Sequence, residues 1–83
     1  MMANRLKMLL EREGVFDPVV TPVSDFSVIV ELDWDYYGIA EFHVTKEEDG
    51  YHVKDNDAED VLFNTLQEVA SYIEEVEEET LDD

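Results

Sequence analysis

The chain has 83 residues, 23 of them Asp or Glu against 5 Lys or Arg, a formal charge of −18 at neutral pH. It has no cysteine, which excludes disulfides, thiolate metal sites and a cysteine nucleophile. At 45% hydrophobic and 11% aromatic it is too apolar for a wholly disordered acidic segment.

Residues 1 to 83 read as one domain with a small core, whose last residues, 80 to 83, are expected to fray. Modest stability makes a homodimer a reasonable expectation, because a second copy adds burial. Residues 1 to 12 lack the apolar run of a signal peptide, and no stretch approaches the ~20 apolar residues of a membrane span. A soluble, cytoplasmic protein is expected, in the host cell's cytoplasm if it is phage-encoded.

The first element is a short amphipathic helix over residues 3 to 13. Leu6, Leu9 and Leu10 recur at helical spacing with Met2 one turn before, and Gly14 supplies the left-handed stop. Residues 15 to 23 mix β-branched residues with Pro18 and Pro22, which fits an extended connector or an edge strand and excludes a central one.

The period then becomes two. Phe26, Val28, Val30 and Leu32 alternate with more polar neighbours, Ala40, Phe42 and Val44 do the same, and Tyr51 and Val53 make a shorter run. A two-residue loop at Trp34 and Asp35 would set Val28 opposite Glu41 on the buried face, an expensive arrangement. An odd loop within Asp33 to Tyr37 avoids this, and a three-residue loop pairs Phe42 with Val28 and Ala40 with Val30. The next turn then sets Val44 opposite Tyr51 and Phe42 opposite Val53. The other face of the sheet should carry Ile29, Glu31, Tyr37, Ile39, Glu41, His43 and His52. Of these, Ile29, Tyr37 and Ile39 are the candidates for a dimer or second interface.

The last element reads as a long helix capped by Asn56 or Asp57, with Glu59 or Asp60 three residues later. Its apolar stripe is Leu62, Leu66, Val69, Ile73 and Val76, widened by Ala58, Val61, Thr65 and Ala70. The expected fold class is therefore α+β, in the order α-β-β-β-α. A three-stranded antiparallel meander, or a four-stranded one if residues 15 to 23 add an edge, packs against an N-terminal and a long C-terminal helix.

Charge is unevenly placed along this order. Residues 1 to 14 have three bases against two acids, whereas residues 55 to 83 have twelve acids and no base. Cations suit a helix C-terminus, yet this helix ends in Glu74, Glu75, Glu77, Glu78 and Glu79, with like charges on neighbouring turns. Rules broken without visible compensation tend to mark functional sites. Carboxylates three and four apart on a helix are ~5 to 6 Å apart at Cβ, close to the phosphate spacing along a DNA strand. Such a row can offer a basic groove what a phosphate backbone offers.

In size, charge and layout over the whole chain, this cysteine-free acidic protein with a carboxylate-rich helix resembles the DNA-mimic inhibitors of phages and mobile elements. Members of that class occupy the DNA-binding sites of restriction enzymes, CRISPR nucleases, uracil-DNA glycosylase or histone-like proteins. The resemblance implies an inhibitor whose partner is a basic nucleic-acid-binding host protein, with no direct contact to nucleic acid or membrane. The residues expected to meet the partner are Glu68, Glu74, Glu75, Glu77, Glu78 and Glu79. Asp33, Asp35, Glu47, Glu48 and Asp49 in the hairpin turns form a second charged edge, with Trp34 as an aromatic anchor.

Two other classes compete. An acidic dimeric chaperone or adaptor would hold a partner on the open sheet face, and a small halophile module would use its acids for solvation in concentrated salt. Catalysis is not expected, since His43 and His52 stand among acids with no identifiable nucleophile, and Gly14, Gly38 and Gly50 are too scattered for a phosphate loop. No cofactor or metal is expected. Asp33, Asp35 and Gly38 begin like a calcium loop but meet Val44 at its twelfth position, and Asp55, Asp57 and Glu59 lead to Asp60 where glycine is needed.

Overall fold

Leu6, Leu9 and Leu10 bury one face of the first helix, α1 (Met2–Arg12), and glycine ends it as anticipated. Gly14 takes φ +94°, its N–H reaches the Glu11 carbonyl at 3.1 Å, and the Val15 N–H reaches Leu10 at 3.0 Å. This is a Schellman stop, closed by the burial of Val15 with Leu10. The computed structural model describes residues 2–55 and 60–81.

Five strands follow: β1 (Val19–Ser24), β2 (Ser27–Asp33), β3 (Ile39–Glu47), β4 (Gly50–Lys54) and β5 (Asp60–Phe63), before the final helix α2 (Leu66–Leu81). They form one antiparallel sheet in sequence order. The architecture is α+β with a helix at each end of the chain, but the sheet has five strands instead of three or four. Residues 19 to 24 are the edge strand, where Pro22 is tolerated because an edge has one unpaired side.

The fifth strand corrects the expected helix start. Asp60, Val61, Leu62 and Phe63 pair with β4 instead of beginning the helix, and Leu62 is 48% exposed instead of lining the helical stripe. A β-branched and aromatic run of this length serves either structure, and the unpaired backbone edge of β4 decides for strand. Asn56 to Glu59, where the cap was expected, lie outside the described residues. The observed cap is Thr65. Its Oγ1 accepts from the Glu68 N–H at 3.2 Å while Glu68 Oε1 accepts from the Thr65 N–H at 3.1 Å, a reciprocal capping box.

From Val28 onward both hairpins keep the expected faces with the register displaced by two residues, whereas Phe26, expected in line with Val28, falls in the turn before β2 and is 61% exposed. Phe42 pairs with Val30, Val44 with Val28, and Ala40 with Leu32, across an odd loop of five residues, 34 to 38, that contains the 3-10 turn Asp35–Tyr37. Across the next turn Val44 faces Val53 and Lys46 faces Tyr51. The core on the helix side joins Leu6 and Leu10 of α1 and Val69 and Ile73 of α2 to Val28, Val30, Leu32, Phe42, Val44 and Val53 of the sheet. Among the described residues no polar or charged side chain is buried, and no helix is long and apolar enough to cross a membrane.

Candidate acidic interface

Burial of Leu66, Val69, Ala70 and Ile73 orients α2. At ~100° per residue this turns Glu68, Glu75 and Glu79 away from the core and sets Glu74 and Glu78 on the flank. That flank faces α1. Glu13, in the turn that ends α1, accepts from Gln67 Nε2 at 3.0 Å and from Ser71 Oγ at 3.4 Å. The Glu74 carboxyl is held above its ordinary pKa, first by partial loss of solvent, then by a hydrogen bond with Glu78 and by the charges of Glu78, Glu13 and Glu77. Glu13 thus joins the array, although its own sequence neighbourhood is nearly neutral.

Among the described residues, no lysine or arginine pairs with Glu74, Glu75, Glu77, Glu78 or Glu79. Glu68 has a different role from the other helix carboxylates. Its Oε1 is occupied by the Asn64 and Thr65 N–H groups and the Thr65 hydroxyl, so it anchors the helix start.

Trp34 is not a free anchor. Its ring folds back to the rim of the core, edge-on to Phe42 at 6.5 Å between centroids, and its Nε1–H donates to Glu77 Oε2 at 3.1 Å. This contact brings Asp33 and Asp35 to the same end of the molecule as the helix carboxylates. Asp33 Oδ1 accepts the Asp35 N–H at 2.9 Å and holds Asp35 in a left-handed conformation of φ +48°. The aromatic group that stands in solvent beside these acids is Tyr36, 95% exposed and edge-on to Tyr37 at 5.6 Å. Three aromatic residues in one loop gave no sequence signal for which would turn inward.

Glu47, Glu48 and Asp49 lie at the opposite end. Strand β3 separates the two hairpin loops by roughly 27 Å at ~3.4 Å per residue, so the anticipated second edge is divided. Asp49 and Glu47 gather instead around His52 on the open face of the sheet. The hydrogen bond from His52 holds the Asp49 carboxyl below its ordinary pKa.

The open face carries Ile29, Glu31, Ile39, Glu41, His43 and His52, as alternation requires. Glu31 stands directly opposite Glu41, whose Oε1 meets His43 Nε2 at 2.6 Å. Ile39 is 62% exposed and Ile29 is partly covered, whereas Tyr37 belongs to the 3-10 turn and not to the sheet face. Among the described residues no group of three or more His, Asp or Glu side chains is arranged to hold a metal ion. No protein-family model matches the chain, no curated protein matches its sequence, and no solved structure matches its fold.

Proposed function

We propose that this protein binds the basic, nucleic-acid-binding surface of a host protein and blocks nucleic acid from it, with α2 standing where a phosphate backbone would run. Linear charge density carries the reading. Glu74, Glu75, Glu77, Glu78 and Glu79 place five carboxylates on six residues, about 9 Å of helix axis. That is one per ~1.8 Å, close to the one per ~1.7 Å of duplex DNA.

Asp33 and Asp35 extend the array at the Trp34 end, Glu13 widens it on the α1 side, and Tyr36 supplies an exposed aromatic contact. Lysines and arginines of the partner would relieve the crowding that raises the Glu74 pKa, and release of the partner's counterions would favour association. On this reading the protein is a non-catalytic inhibitor working in the cytoplasm that holds its target.

The test is affinity capture from a bacterial lysate at about 0.1 M salt, followed by a rising salt gradient across the range where charges are screened. The expected result is one dominant nucleic-acid-binding protein, released by salt and displaced by duplex DNA. A partner that stays bound at high salt and ignores DNA would overturn the reading. It would favour a dimeric chaperone or adaptor working through the open sheet face, where Ile39 and Leu62 are exposed. Polar substitution of Ile29 and Ile39 abolishes binding in that case, and reversal of Glu74, Glu75 and Glu78 to Lys leaves it intact.

A further inference from the structure

We propose that His52 is a proton-operated clasp, tying edge strand β5 to the β3–β4 turn while both ring nitrogens carry a proton and loosening that strand when one proton leaves. The geometry rests on what surrounds the two nitrogens. Nε2 lies 2.9 Å from Asp49 Oδ1 and 3.6 Å from Glu47 Oε2, and Nδ1 lies 3.3 Å from Asp60 Oδ1. Ionised carboxylates only accept hydrogen bonds, and a neutral imidazole has one N–H to give. A neutral ring therefore turns a lone pair toward a carboxylate on one side or the other. Only the imidazolium satisfies both.

The two sides belong to different parts of the fold. Asp49 and Glu47 sit at the β3–β4 turn, whereas Asp60 opens β5, a strand of four residues that, among the described residues, pairs in the sheet with β4 alone. The His52 side chain is 24% exposed at the floor of an open hollow of about 430 Å³, which protons reach freely. His43 and Glu47 of β3, Lys54 and Asp55 at the end of β4, and Asp60 of β5 face the same hollow, while the helices pack on the other side of the sheet. Lys54 opposes a second positive charge there. The carboxylates prevail: the Asp49 hydrogen bond first, then that of Asp60 and the charges of Asp49 and Glu47, raise the His52 pKa against the cost of partial desolvation.

The sign follows from linkage. A folded-state pKa above the ordinary 6.5 makes the tie fully present below 6.5 and removes it as pH rises through the folded value. The clasp thus grips on acidification and loosens toward alkaline pH, independently of what the acidic helix binds.

The experiment is an NMR titration of the imidazole nitrogens in the intact protein, combined with amide hydrogen-exchange protection factors at Val61, Leu62 and Phe63, with Ile73 in α2 as the internal reference. The His52 midpoint is expected above 6.5 and should fall in Asp49→Asn and Asp60→Asn. Protection of the β5 amides should drop across the same interval while Ile73 holds, tenfold for each pH unit between the native midpoint and that of Asp60→Asn, because opening β5 withdraws Asp60 and leaves Asp49 beside the ring. In His52→Gln the β5 protection should be low and flat with pH. A wild-type midpoint at or below 6.5, or β5 protection unchanged through the titration, overturns the clasp, and both can be read without any variant.

Discussion

The indole N–H of Trp34 donates to Oε2 of Glu77 at 3.1 Å across 43 positions of sequence, fastening the β2–β3 loop to the next-to-last turn of the C-terminal helix. A carboxylate in the most crowded part of the acidic array is thereby given a neutral donor, and an aromatic ring in an acid-rich loop is given to the core. Trp34→Phe keeps most of the packing and loses the bond, at an expected cost of about 1 kcal/mol. Trp34→Ala also loses the ring's contact with Phe42 and should cost about 3 kcal/mol. Urea unfolding with an unchanged m-value measures both; a Trp34→Phe cost near zero would show that the bond contributes nothing, and equal costs for the two variants that the ring contact adds nothing.

Tyr36 makes the complementary prediction, because it is 95% exposed two residues from Trp34, with its ring edge-on to Tyr37. Tyr36→Ala should leave stability within about 0.5 kcal/mol. It should weaken capture of the basic partner. Unchanged capture removes Tyr36 from the interface.

Thr65 and Glu68 satisfy one another's backbone N–H groups, so they should act as one unit. Each alanine substitution is expected to cost about 1 kcal/mol, and the double variant less than the sum. Strict additivity in urea unfolding would argue against a reciprocal cap. Glu68→Lys should destabilise the fold, unlike charge reversal further along the same helix.

Reversal of Glu74, Glu75 and Glu78 to Lys places cations at a helix C-terminus and removes like-charge neighbours. The melting temperature should rise at low salt while partner binding is lost. A pH test isolates Glu74. Its raised native pKa means stability from this group is present below the ordinary 4.5 and is lost as pH rises through the native value. Glu74→Gln should therefore stabilise the protein at pH 7, with an advantage that shrinks as pH falls toward 4.5 in urea titrations. An advantage independent of pH would mean that the carboxyl is not crowded.

Gly50 takes φ +137°, and a Cβ there would run into the Phe63 carbonyl. Gly50→Ala must strain the backbone or part β4 from β5, at an expected cost of about 2 kcal/mol. Loss of amide protection concentrated at Tyr51 and Phe63 would place the damage at that pair of strands. A cost near zero would show that the strands separate without penalty.

Several features were decided by sequence alone. Leu6, Leu9, Leu10 and Gly14 specify a helix and its stop because spacing and a left-handed glycine are local properties. Alternation in residues 28 to 32 and 40 to 44 specifies which side chains face the core, since a period of two leaves no other assignment that buries apolar groups together. It ran one residue pair too far at Phe26, which the turn before β2 carries into solvent. The carboxylates of α2 are equally explicit, and the Thr65, Glu68 spacing of a capping box was present to be read. Tertiary structure decided what alternation leaves open. A register shift of two residues preserves every face, so only closure of the five-residue loop sets Val30 against Phe42. Val61 to Phe63 became a strand because β4 had an unpaired edge, and Trp34 turned inward because the end of α2 offered it Phe42 and Glu77. Glu13 joined the acidic array only when α1 was laid against α2. Each of these depends on residues distant in the chain meeting in space, which no local pattern encodes.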